Sequence, residues 1–230
     1  MRYGNSMRIN KYLADQKIST RRGADELIKN KKVFINGKLA LLGSQVNETD
    51  KIEVRGAEKK EYLYFAYNKP IGIETDSPRE DLFALGRLDK NSHGLLILTN
   101  DGRITDQLLN PKYFHEKEYI VRTSNKLRSS FKKKMEAGVN IEGLPRLGKA
   151  GYMTKPCKVK IINDFIFRII LTEGKKHQIR RMCSALFQEI ADLKRERIMN
   201  IKLGNLKAGG LREIKGIELK ELLNSLGLTK

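Results

Sequence analysis

The sequence predicts an α+β fold in two parts. A small N-terminal α/β unit spans residues 1–55, and a larger domain spans residues 62–230, where a mixed, mainly antiparallel sheet carries flanking helices. Three observations lead there. The first 55 residues read in the order helix, turn, helix, strand, turn, strand. Residues 56–61, Gly-Ala-Glu-Lys-Lys-Glu, are small and charged, as a linker is. Beyond them, short β-type runs are interspersed with helical stretches, the pattern of one α+β domain. The apolar content of 40 % is enough for a packed core.

In the first part, Ile9, Tyr12 and Leu13 keep helical spacing. Ser19 stands where an N-cap belongs, ahead of a helix near 20–30 that carries Arg21, Arg22 and Lys29 beside Leu27 and Ile28. Val33-Phe34-Ile35 reads as a strand, Asn36-Gly37 as a tight hairpin turn, and Lys51-Ile52-Glu53-Val54 as another strand. In the second part, strands are predicted over 62–67, 95–98, 118–122, 158–162 and 165–171, with Asn163-Asp164 turning between the last two. Helices are predicted near 126–137, 175–187 and 217–225. No internal repeat or low-complexity tract is present.

Charge narrows the class of partner. Forty-six Lys and Arg against 27 Asp and Glu give a formal net charge of +19. A surplus that large suits a polyanion, because each cation placed on a phosphate releases counterions. Nucleic acid is the leading candidate. An anionic membrane surface ranks second and lacks a long basic amphipathic helix to support it. The two cysteines, Cys157 and Cys183, have neither disulfide-framework nor zinc spacing. No apolar signal core opens the sequence and no stretch of about 18 apolar residues occurs, so a cytoplasmic location is the default.

The segment richest in chemistry is Gly86-Arg87-Leu88-Asp89-Lys90-Asn91-Ser92-His93-Gly94-Leu95-Leu96-Ile97-Leu98-Thr99-Asn100-Asp101-Gly102. It reads as an Arg-x-Asp loop between turn-permitting glycines, followed by a buried strand. A carboxylate in such a loop, beside a cation, stays ionised and can act as a nucleophile. Taken alone, Asp89 is more often a turn or cap residue.

Other segments decide between those readings. Lys69-Pro70-Ile71-Gly72 follows the first strand of the second part, and His115-Glu116-Lys117-Glu118-Tyr119-Ile120-Val121 carries a tyrosine on a strand. Leu171-Thr172-Glu173-Gly174-Lys175-Lys176-His177-Gln178-Ile179-Arg180-Arg181 carries arginines, and Leu193-Lys194-Arg195-Glu196-Arg197-Ile198 and Gly210-Leu211-Arg212 follow. In this order, with Gly-Arg-Leu-Asp at 86–89, they resemble the ribosomal RNA pseudouridine synthases of the RsuA/RluF type over nearly the whole chain. Residues 115–121 and 195–200 look nearest the large-subunit branch. The N-terminal segments, Arg8-Ile9-Asn10-Lys11-Tyr12-Leu13, Ser19-Thr20-Arg21-Arg22-Gly23-Ala24 and Val33 to Gly37, resemble the small RNA-binding domain shared by a ribosomal protein and many RNA-modifying enzymes. Two departures stand out: Lys176-His177 where relatives often have Asn-Arg, and His93 after Ser92.

The resemblance implies isomerisation of a uridine to pseudouridine in ribosomal RNA, large-subunit RNA first and transfer RNA as an alternative, by a monomer without cofactor or metal. It makes Asp89 the catalytic carboxylate, leaving open whether that group attacks the sugar, attacks the base or takes a proton. Arg87 fills the space of a flipped base or grips a phosphate, and Tyr119 stacks on the uracil. Leu171 forms an apolar wall under the base. Lys69 is placed with the substrate-binding residues, as are Arg21, Arg22 and Lys29 on phosphates. A separate helical argument concerns Arg180. On a helix from 175, Ile179, Met182, Cys183 and Leu186 form one apolar stripe. Arg180 then lies at the stripe's edge, suited to a bidentate pair with Asp89, and Arg181 lies on the far side, towards solvent or RNA.

His93, His115 and His177 are too scattered to suggest a metal set. The run Lys132-Lys133-Lys134 reads as a solvated helix face, and residues 204–210 lack the context of a dinucleotide loop. No phosphate-loop motif for ATP is present. The competing reading is a non-catalytic RNA-binding or ribosome-assembly protein on the same scaffold; Asp89, Tyr119 and Arg180 together argue against it.

Overall fold

The computed structural model describes residues 6–16, 18–56, 61–141 and 151–228. Residues 57–60 of the expected linker lie outside them. The chain divides into two compact units. One holds the described residues up to Leu63 with Asn100–Asp106; the other holds Tyr64–Thr99 and the described residues from Gln107 onward.

The first unit runs β1 (Met7–Arg8), α1 (Ile9–Asp15), α2 (Arg21–Lys29), β2 (Val33–Ile35), β3 (Lys38–Leu39), β4 (Gln45–Val46) and β5 (Ile52–Val54). Strand β1 pairs with β4, and β3-β2-β5 form a three-stranded sheet. Its core is Ile9, Leu13, Ala24, Ile28, Val33, Ala40 and Val46. The Asn36-Gly37 turn forms as expected: both residues have positive φ, 50° and 78°, and Ile35 faces Lys38 across a two-residue loop. One expectation is corrected by a residue. The cap of α2 is Thr20, whose hydroxyl accepts from Gly23 N at 3.0 Å. Ser19 instead packs over Gly23, where a Cβ would collide with its hydroxyl.

The second unit runs β6 (Tyr64–Lys69), β7 (Phe83–Leu85), β8 (His93–Thr99), α3 (Ile104–Leu109), which begins in the first unit, β9 (Lys117–Thr123), α4 (Phe131–Glu136), β10 (Asn140–Ile141), β11 (Tyr152–Met153), β12 (Lys158–Ile161), β13 (Ile166–Leu171), α5 (Gln178–Ala185), β14 (Ile190–Ile198), β15 (Ile201–Lys202), β16 (Leu211–Glu213) and α6 (Gly216–Ser225). The main sheet has the order β12-β13-β9-β14-β8-β6-β16, with β15 beside β14 and β7 beside β8. Its pairs are antiparallel except β14 with β8. The fold is therefore α+β with a mixed, mainly antiparallel sheet. Leu95, Leu96, Ile97 and Leu98 are fully buried, which explains why β8 reads as a continuous apolar run. One sheet face packs against α4 and α5 through Val121, Phe131, Phe167, Ile169, Met182, Cys183 and Leu193.

Helix α4 starts at Phe131 and α5 at Gln178, later than the expected 126 and 175. The nine-residue β14 was expected only as a motif. No described helix is long and apolar enough to cross a membrane.

Candidate active site

Asp89 lies in the connection from β7 to β8, and backbone geometry fixes where that connection can run. Gly86 has φ 77° and Gly94 φ 102°, conformations that L side chains rarely adopt. At Gly94 the reason is close approach: a Cβ would strike the backbone of Arg195 on the parallel neighbour β14, 2.8 Å from its nitrogen. Ser92 N donates to Asp89 O at 2.9 Å and closes the turn.

The segment after β6 clamps this turn from outside. Gly72 N donates to Lys90 O at 2.8 Å. The Thr75 hydroxyl donates to Leu88 O at 2.7 Å and accepts from Leu88 N at 2.9 Å. Lys69 organises the clamp from beneath. Its side chain is fully buried, and Nζ donates to Pro70 O at 2.8 Å and Ile73 O at 2.7 Å. Burial pulls its pKa down, against the attraction of the Glu74 and Asp89 charges. The expectation that Lys69 meets substrate is thus corrected: with no exposed surface, it holds the loop that holds the Asp89 turn. That loop presents Ile71 and Ile73 to solvent, 57 % and 45 % exposed, a feature composition does not reveal.

The Asp89 side chain is 33 % exposed, and His177 is the side chain against it, Nδ1 at 3.0 Å from Oδ2. The expected bidentate pair with Arg180 is not formed. Arg180 Nη2 donates to Asn91 O at 2.7 Å and Ser92 Oγ at 3.2 Å. The cause is the later start of α5. His177 is its N-cap residue, with φ 52°, and Arg180 is one turn on. Residues three apart share a helix face, so both reach the same turn: His177 meets the carboxylate, and Arg180 the backbone beyond it. Arg181, expected towards solvent or RNA, is half-buried and donates to Ile141 O on β10 at 3.2 Å.

Sheet register places Tyr119 in the row that leads to β8. Tyr119 faces Ile169 on β13 and Arg195 on β14, and Arg195 faces Gly94 on β8. One row across the sheet thus joins the tyrosine to the strand that follows Asp89. Tyr119 is partly buried against the core that contains Leu171, itself 3 % exposed. Arg87 is exposed beside Asp89. Arg195 is the functional residue that sequence reading left inside a motif. It is 3 % exposed, its Nε donates to Leu95 O at 2.7 Å and its Nη1 to Arg87 O at 3.5 Å, so it braces both ends of the Asp89 connection.

The three histidines go to separate places. His93 pairs with Asp192 at 2.9 Å, His115 stacks on Tyr113, and His177 meets Asp89. Among the described residues no group of three or more His, Cys, Asp or Glu is arranged to hold a metal. Cys183 is buried in the core and Cys157 partly so, and burial pushes both thiols up to about 12. In the first unit Arg21, Arg22 and Lys29 are all exposed on α2, while Ala24 and Ile28 of the same helix are buried.

Residues 62–185 match the RNA pseudouridylate synthase family, and residues 7–52 match the S4 domain. The chain is 38 % identical to the dual-specificity RNA pseudouridine synthase RluF of Escherichia coli strain K12, across 95 % of this chain and 79 % of that protein. It is 34 % identical to the ribosomal large subunit pseudouridine synthase B of Bacillus subtilis, across 94 % and 95 %. A crystal structure of a pseudouridylate synthase superposes with a TM-score of 0.67 at 28 % identity, covering 96 % of this chain and 99 % of that one.

Proposed function

Because this chain belongs to the RNA pseudouridylate synthase family, we propose that it converts a specific uridine of large-subunit ribosomal RNA to pseudouridine, with Asp89 as the catalytic carboxylate. The observation that carries the assignment is the Asp89 turn itself. Its carboxylate is one-third exposed, while the backbone around it is held by Gly72, Thr75, Arg180 and Arg195. A reactive group fixed in place but open on one side is what positional catalysis requires.

In the reaction, the N1–C1′ bond of the uridine breaks, the uracil turns, and a C5–C1′ bond forms as C5 loses its proton and N1 takes one up. The product is an isomer of the substrate. For Asp89 to reach the nucleotide, the base must leave its stack, which costs a few kcal/mol. Tyr119 offers an aromatic face worth about 1–3 kcal/mol to the extruded base. Leu171 walls the pocket beneath it, and Arg87 meets the RNA beside Asp89.

Residues 1–55 serve as the RNA-binding domain and residues 62–230 as the catalytic domain. In the first, Arg21, Arg22 and Lys29 take phosphates, which position RNA without reading its sequence. The net charge of +19 supports that partner. The protein works as a cytoplasmic monomer. A non-catalytic RNA-binding role is not favoured by the family to which the chain belongs.

The test is tritium release from uracil C5 in labelled ribosomal RNA transcripts, native protein against Asp89→Asn. The expected outcome is release by the native protein and none by the variant, with RNA affinity nearly equal. Equal loss of affinity and turnover in the variant removes Asp89 from the catalytic role.

A further inference from the structure

We propose that His177 is the positioning residue of the catalytic carboxylate, an inference that rests on the reading of Asp89 as the catalytic group. The backbone of the Asp89 turn is already secured without it. Ser92 N closes the turn, Gly72 N and Thr75 hold Lys90 and Leu88, and Arg180 holds Asn91 and Ser92. The freedom left is rotation of the Asp89 side chain. Among the described residues, the one protein group on that carboxylate is His177 Nδ1, 3.0 Å from Oδ2. Held there, Oδ2 is engaged and Oδ1 is left to face the substrate.

The backbone at His177 supports a built contact. Its φ of 52° lies in the left-handed region, which among side-chain-bearing residues favours asparagine, aspartate and histidine. That conformation lets residue 177 cap α5, where its carbonyl accepts from Arg181 N at 2.9 Å, while its ring meets the Asp89 turn. The next residue on that helix face, Arg180, grips the far end of the same turn. One helix start therefore holds both the direction of the carboxylate and the path of the chain that carries it. With 45 % of its side chain exposed, the imidazole is not there to fill a core.

The unusual φ supplies the experiment. Glycine and asparagine both accept a positive φ, so neither His177→Gly nor His177→Asn strains the backbone. Only asparagine keeps a nitrogen donor on the γ-carbon, where Nδ1 sits in histidine. Misplacement of a reacting group by about 1 Å can cost on the order of 100-fold in rate. In single-turnover tritium release, His177→Gly is expected to react about 10- to 100-fold slower than native at unchanged RNA affinity and melting temperature. His177→Asn should recover most of that loss. A native rate in His177→Gly, or no recovery in His177→Asn, overturns the assignment. A crystal structure of His177→Gly gives a readout independent of turnover: Asp89 should occupy more than one rotamer on an unmoved turn. A single, native rotamer refutes the positioning role whatever RNA is used, whereas an inactive native protein bears on the isomerase reading alone.

Discussion

Glu118 and Tyr119 are neighbours on β9 and point to opposite faces of the main sheet, and the two faces treat charge in opposite ways. On the Glu118 face, charges cancel. Glu118 accepts from Arg197 Nε and Arg168 Nη1, both at 2.7 Å. Glu116 accepts from Arg197 Nη2 at 3.0 Å and Lys158 Nζ at 3.1 Å, and Glu196 pairs with Arg168 and Lys194. On the Tyr119 face they do not. Arg195 is buried with its Nη2 unpartnered, and Lys117, whose pKa is lowered by burial and by Arg195, has no ion pair among the described residues. A β-bulge separates the two regimes. The pairing of β14 with β9 slips between Arg195 and Arg197, so Arg195 faces Tyr119 and Arg197 faces Glu118. Without the slip, arginines two apart would share a face. The paired face is scaffold; on the other face the unpaired cations border the core covered by α4 and α5, in the row that reaches Gly94 on the strand after Asp89.

The strongest test of this contrast breaks the paired face. Glu118 is 8 % exposed, so Glu118→Ala takes a buried carboxylate from two arginines, leaving Arg197 with Glu116 and Arg168 with Glu196. Leaving a buried charge wholly unpaired costs about 3–5 kcal/mol, and the carboxylates that remain to Arg197 and Arg168 place this case at about 2–3 kcal/mol. Urea unfolding measures it; a loss below about 1 kcal/mol would make the network decorative. The same face carries a pH signature. Arg197 and Lys158 hold the Glu116 carboxyl below its ordinary value; at Glu118 burial pushes upward and is outweighed by Arg197 and Arg168. Both folded values are depressed, so their contribution is complete above about pH 4.5 and is lost as pH falls through the folded values. In Glu118→Ala that acid sensitivity should shrink.

The opposite face should respond in rate rather than stability. Tyr119→Leu keeps an apolar side chain on the core and removes the aromatic ring. Losing a stacking contact of about 1–3 kcal/mol slows single turnover by about 5- to 150-fold, with the melting temperature near native. A variant that loses stability and keeps its rate would assign Tyr119 to the scaffold.

How much of this was legible depended on whether the deciding interaction was local. The Asn36-Gly37 turn was readable because two adjacent residues fix it. The run Leu95 to Leu98 was readable because a strand buried on both sides carries its signal in its own apolarity. Strand β14 was not. Its Lys194-Arg195-Glu196-Arg197 centre looks solvated until Glu196 and Arg197 find partners on β13 and β9 and Arg195 is buried on Leu95 O, and the bulge erases its alternation. Asp89 and Tyr119 were singled out through their motifs, not through any spacing of their own. Lys69 was misplaced because burial of an ammonium on two carbonyls leaves no trace in sequence. His177 was passed over because helical phase was counted from 175, whereas a left-handed cap starts the helix at 178.

The smallest expected effect carries the comparison into the first unit, where paired and unpaired cations also coexist. Lys51 and Arg55 both bind Glu53. Arg21, Arg22 and Lys29 stand exposed on α2 with no ion pair among the described residues. If uncompensated charge marks the RNA surface, the triple variant Arg21→Ala, Arg22→Ala, Lys29→Ala should flatten the dependence of log affinity on log salt. At roughly 0.7 per phosphate contact on single strands, the loss in slope is about 2. Lys51→Ala, which removes a charge already neutralised, should leave the slope near native. Equal slopes for the two variants would mean that total charge draws the RNA, and that the division between paired and free cations holds only at the catalytic sheet.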